Sequence, residues 1–362
     1  MKRRNLLIYM HFGALALMEY AQAAPKSIAK EPPSKTPAVA APYIAATRMV
    51  DALLLQHFVP AALALQSSAL ALEASLHTSI HSPQTPWNAH RQAWTSTLLA
   101  WETLAAVAVG PLLERRSVRA IDFWPTRPAQ IQRLLDAGLA GLSDVRSLET
   151  VGASARGLPA LEWLLFKTTG AAHARTLALL LAQQVRQEAD TLLAGYQQLA
   201  HTEREESEAW ALYGEWFGQA VGGLEQLRIK KMVPDTRGKD SSPWVRGLSG
   251  QTAASWLAQA RGLQAFLVGT PAAQAAAQQQ APRWPVPGSV NSLLLGRGHL
   301  QHSQALLQHT TAMVQAVAHA QVHQPASLRT AQAALSKTSA LLDSLAGHVL
   351  HITLGFTDAD GD

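Results

Sequence analysis

The chain has 362 residues, of which 48% are hydrophobic and 15% charged, with 30 Lys and Arg against 25 Asp and Glu. That apolar content can fill a large core and excludes global disorder, while a net charge of +5, spread thinly, gives nucleic acid no footing. There is no Cys, which excludes disulfides, thiolate metal sites and a lipid-modified N-terminal Cys.

Lys2, Arg3 and Arg4, the apolar run Leu6 to Met18 and the small-x-small stretch Ala21-Gln22-Ala23 have the layout of a secretory signal cut near Ala23. A periplasmic destination is expected, with 27 basic and 24 acidic residues left after cleavage. Residues 24–41, rich in Pro, Ala and Lys, read as a flexible leader. No later apolar run is long enough to predict a transmembrane segment.

From Pro42 the apolar residues recur with a helical period. Pro60 is expected to kink or break the first long helix. Trp87, Trp94 and Trp101, seven residues apart, lie on one face of the next helix and predict core packing against a partner helix. The segment "DFWPTRP" cannot be continuous helix with two prolines. Beyond it "GLPALEWLLF" opens another helix, followed by Gln-, Ala- and Leu-rich helices over about 171–200 and 203–232. "EREESE" reads as the acidic first turn of the second of these, and "RIKK" (Arg228 to Lys231) as its solvated end. Two loops, "VPDTRGKDSSPWVRGLSGQ" and "QAPRWPVPGS", interrupt the rest of the chain, and helices over about 289–321 and 325–350 close it. With no alternating strand pattern, the expected class is all-α: a first helix bundle over 42–200 and a second over 201–362.

Glu162 is the anomaly. Leu158, Leu161 and Leu165 share its face, while Trp163, Leu164 and Phe166 cover the others, so its helix is apolar all round. A lone buried carboxylate costs several kcal/mol and needs a partner. A helix N-terminus offers an anion only about 0.3–1 kcal/mol. Three partners suit it: an Arg such as Arg119, Arg127 or Arg297, a cluster of hydrogen-bond donors, or a metal ion. Asp122, Trp124 and Arg127 sit on the Pro-stiffened "DFWPTRP", either as a structural salt bridge or as walls of a cleft.

"GLPALEWLLF", "IDFWPTR" upstream, and "SWLAQARGLQAFLVG" and "ITLGFTDADGD" downstream resemble, in order, landmarks of imelysin-like proteins. The resemblance implies an exported, all-α protein of two helix-bundle halves with a place in envelope iron or metal acquisition. It also brings in a peptidase reading, because the family is named after an insulin-cleaving metallopeptidase. The same domain occurs in the periplasmic component of a ferrous-iron uptake system. The family segment is Gly-x-His-x-x-Glu. Gly157 and Glu162 occupy the matching ends here, but Pro159 stands where the His would be, and none of the 14 His has a Glu three residues later. A hydrolytic zinc site wants three protein ligands and a water, so the His-dependent part of that implication does not carry over.

His299 and His302, three apart on a predicted helix, form the best imidazole pair for a divalent metal, iron or zinc, against a bland reading as solvated His. Asp358, Asp360 and Asp362 are spaced like the start of a calcium loop without its later ligands. No Gly-rich phosphate loop and no Gly-x-Ser-x-Gly elbow occur. The sequence thus predicts a binding protein that takes a metal ion, a metal chelate or an uptake partner, periplasmic or outer-membrane, at a cleft near Glu162. The rival is a metallopeptidase with Glu162 as general base and His ligands from the second half. A third reading is a docking protein in which Glu162 is only an ion-paired core residue.

Overall fold

The computed structural model describes residues 44–81, 86–168, 171, 173–235, 242–279 and 285–354. The signal, the leader and the C-terminal Asp triplet lie outside the described residues. Among those described there are helices and turns and no strand, so the all-α class holds.

Helix α1 (Ala46–Leu53) runs through a π turn (Leu54–Phe58) into α2 (Val59–His81). Pro60 therefore does not end the helix. The missing N–H of a proline and the bulk of its ring are absorbed by the wider turn just before it, and Pro60 itself faces solvent. By length and composition alone Ala46–Ile80 could cross a membrane. In the fold it packs against two neighbouring helices, and Leu65, Ala69, Leu72 and Leu76 along one stripe are wholly buried.

Next comes α3 (Trp87–Leu104), whose Trp94 and Trp101 are buried as the seven-residue stripe predicts. Trp87 at the start of the stripe is half-buried under the Arg175 guanidinium, 4.5 Å from its ring centre. Short helices α4 (Pro111–Glu114), α5 (Ser117–Ile121) and α6 (Pro128–Asp136) come after it, with 3-10 turns at Arg146–Thr150 and Ala153–Ala155. They lead into α7 (Gly157–Lys167) and the long α8 (Ala174–His201). The four helices α2, α3, α7 and α8 pack on one another.

The chain continues through α9 (Glu206–Glu225), which a π turn (Gln226–Lys231) extends. The acidic start is a reciprocal capping box between Glu205 and Glu208. Glu206 also reaches back to accept the Ala46 N–H at 2.7 Å, so one acidic turn caps two helices. Then come α10 (Thr252–Val268), α11 (Pro271–Gln279), α12 (Val290–Gly296), α13 (Leu300–Ala318) and α14 (Pro325–Ser344), the last running into a π turn (Leu345–Leu350). Helices α9, α10, α13 and α14 form a second packed group, and α10 on α3 and α1 on α9 join the two groups within one compact unit over residues 40–362.

His57 sits inside the first π turn, with Nε2 shut off from water and unbonded among the described residues. Burial lowers its pKa from 6.5 to about 4. On acidification the unfolded chain takes up this proton before the folded one does. Stability is therefore full above about pH 6.5 and falls as the pH drops toward 4, by on the order of 3 kcal/mol. His57→Leu is expected to remove this part of the slope, measured as urea midpoints compared between neutral and mildly acidic buffer.

Candidate functional site

Glu162 lies on α7, well inside the helix, and only 2% of it is exposed. Its partner comes from the irregular segment before α10. The Ser249 N–H donates to Glu162 Oε1 at 2.9 Å, and the Ser249 hydroxyl donates to the same oxygen at 2.7 Å. Beside them stands Arg246, a completely buried guanidinium. Its backbone is left-handed, with φ at 64°, and its carbonyl accepts the Gln251 N–H at 3.0 Å, so a tight turn aims the side chain inward.

Arg246 Nη2 contacts Asp122 Oδ1, just beyond α5. Asp122 Oδ2 accepts the indole N–H of Trp101 at 2.9 Å, which makes the middle helix stripe part of the site as well as part of the core. Arg246 Nε stands 3.9 Å from Glu102 Oε1 on α3, too far for a hydrogen bond. Glu102 is itself held by direct contact with Lys231, at the end of the π turn after α9. Burial by itself would favour loss of the guanidinium charge. The carboxylates of Asp122, Glu102 and Glu162, with the hydrogen bond to Asp122, more than offset this and hold the Arg246 pKa above the usual arginine value. Lys231 and Arg246 are thus inward-facing, whereas the sequence reads Lys231 as part of a solvated helix end.

A pocket of about 410 Å³ opens over this cluster. Trp124, Trp163 and Trp244 line it, with Glu162, Arg246 and Asp235. All three indoles are half-buried, which leaves part of each within reach of a ligand. Trp244 is braced edge-on by Trp256, with ring centres 5.5 Å apart, and Trp256 in turn donates to the Lys231 carbonyl at 3.1 Å.

The structure brings Glu162, Asp122 and Trp124 together and leaves the three Arg named from sequence elsewhere. Arg119 is exposed on α5 and Arg127 is exposed at the start of α6. Arg297 stacks over Trp210, 4.4 Å from the ring centre. The counter-charge is instead Arg246, which stands on a turn that faces α7 from inside the fold. Its only sequence signal is a single Arg in "PWVRGLSG", held between apolar residues and two glycines.

His299 and His302 lie at the start of α13 with ring centres 5.8 Å apart, and neither lines the Glu162 pocket. The residues present do not fit the hydrolytic metal centre that the family resemblance implies. Pro159 offers no ligand atom, Ser249 occupies one oxygen of Glu162, and Asp122 and Glu102 are each held by a cation. No group of three or more His, Asp and Glu among the described residues could hold a metal ion.

The fold resembles two solved structures. An imelysin-like protein from Psychrobacter arcticum 273-4 superposes with a TM-score of 0.64 at 18% identity, covering 87% of this chain and 100% of its own. A protein described as an iron-regulated protein A precursor, from Parabacteroides distasonis ATCC 8503, gives a TM-score of 0.68 at 12% identity, covering 85% of this chain and 96% of its own. At these identities the likeness shows a shared fold. No curated protein sequence matches the chain significantly. The sequence profile of Imelysin, Peptidase M75, matches residues 58–345, most of the chain, and the Gly157–Glu162 segment of α7 falls within that span. The chain belongs to the imelysin family.

Proposed function

We propose that this is an exported, periplasmic binding protein of iron acquisition, which captures a small ligand such as a metal chelate in the pocket over Glu162. The observation that supports binding over hydrolysis is the state of the pocket floor. Its carboxylates are already engaged by Ser249, Arg246 and Lys231, while three indoles stand over them. Aromatic walls around a few fixed polar groups suit recognition of an organic ligand. A metal-activated hydrolase, by contrast, needs several protein ligands around its metal, and no group of three or more His, Asp and Glu among the described residues could hold one. The tie to iron is carried by the family and by the description of the Parabacteroides protein as iron-regulated. Delivery to an envelope uptake partner would come after capture.

Titration of the purified protein with ferric citrate, a ferric catecholate and a ferric hydroxamate, followed by tryptophan emission and calorimetry, tests the proposal. One chelate is expected to bind saturably, and Trp124→Ala to weaken it at least tenfold. Metal-dependent peptide cleavage that Glu162→Gln abolishes, with no chelate bound, would replace the proposal with the peptidase reading.

A further inference from the structure

Granted that the pocket over Glu162 binds a small ligand, we infer that the ligand presents an organic cation, an ammonium or guanidinium, to Glu162 among the indoles. The inference comes from how the charges beneath the pocket pair. Glu102 is in direct contact with Lys231, and Asp122 with Arg246. Each cation thereby makes its direct contact with one carboxylate, and Arg246 Nε stands a further 3.9 Å from Glu102. Glu162 has no ion pair among those described and meets Arg246 only through the longer-range field that all three carboxylates exert on the guanidinium. Among the described residues, the acids Glu102, Asp122 and Glu162 thus share two cations, and of these three Glu162 is the one that lines the pocket.

Ser249 does not settle that excess. Both of its hydrogen bonds end on Oε1, and they are dipoles that stabilise an anion without cancelling its charge. Oε2 accepts no hydrogen bond from a described residue, and it is absent from the atoms that are both buried and unbonded. A cation against Oε2 would complete the pairing.

Arg246 does not argue for an anion in its place. Its guanidinium is wholly buried, bonded to Asp122, and set against Glu102. Its Nε and Nη1 have no hydrogen-bond partner among the described residues, but both atoms are buried, so neither is open to an anion entering the pocket. The walls favour the same sign of charge: Trp124, Trp163 and Trp244 offer indoles, the aromatic surface on which cations bind best.

The test needs three soluble probes of one shape: 2-phenylethylammonium, 2-phenylethanol and phenylacetate. Each is titrated into the purified native protein while tryptophan emission is recorded. The ammonium is expected to bind at least tenfold more tightly than the alcohol, with the carboxylate weakest. In Glu162→Gln, which keeps the shape and an acceptor for Ser249, the ammonium and alcohol should bind alike. The native comparison stands even where that variant fails to fold. Phenylacetate binding most tightly, or equal binding of all three, would overturn the inference and leave the pocket reading intact. Binding of a ferric chelate with no preference for the ammonium would do the same. Failure of every probe and every chelate to alter emission would remove both.

Discussion

Arg246→Met should destabilise the protein by about 3–5 kcal/mol, the range for removing one member of a buried ion pair. The guanidinium is completely buried and is the shared counter-charge of Asp122, Glu102 and Glu162. Met fills much of its volume, so the loss is electrostatic and not a cavity. Asp122 would keep only the indole N–H of Trp101, and Glu102 only Lys231. Urea denaturation measures the loss, and a second variant identifies its source. Asp122→Asn introduced together with Arg246→Met should recover about 1–3 kcal/mol relative to the sum of the single changes, because the two side chains form one unit. A loss below about 1 kcal/mol, or strict additivity, would mean that these carboxylates do not depend on the guanidinium.

Gly157→Ala should cost about 3 kcal/mol through a different mechanism. Gly157 opens α7 with φ at 71°, and a Cβ there would lie 2.3 Å from the Ile121 carbonyl oxygen and 2.9 Å from that of Ala120. A side chain in the left-handed region costs about 1–2 kcal/mol. Overpacking adds about 1–3 kcal/mol, and here the obstacle is backbone, which cannot swing aside. Gly298→Ala is the control. Its φ is 80°, yet nothing lies within 4 Å of the added carbon, so only the conformational part should appear. The difference between the two melting curves isolates the close approach of α7 to the end of α5. On the binding role proposed above, chelate affinity should fall with Gly157→Ala as well, since that approach positions α7, which carries Glu162, beside the end of α5, which leads into Asp122.

These two positions mark what sequence can and cannot reveal. Periodicity and the poverty of strand signals predict an all-α chain, and the seven-residue Trp spacing places Trp94 and Trp101 in the core. The apolar surroundings of Glu162 reveal that a partner must exist, because burying a carboxylate alone is costly. They do not reveal which residue it is. Arg246 is 84 positions further along the chain, in a turn without periodicity, and three other Arg were equally eligible by composition. Lys231 was hidden for a related reason: a basic run at a helix end reads as solvated, and only the π turn at Gln226–Lys231 brings its last residue onto Glu102. Pro60 failed in the opposite direction. Its local rule was sound, but a widened turn one step earlier met the demand without a break.

The walls and the floor of the pocket differ in how freely they can change. The floor is a set of mutually dependent charges drawn from α3, α7 and three connecting segments, so altering one obliges a compensating change in another. The tryptophans above it appear in no ion pair, so a change at one of them does not oblige a change of charge elsewhere. Divergence of this pocket would thus proceed through single steps around the rim, over a base inherited as a block.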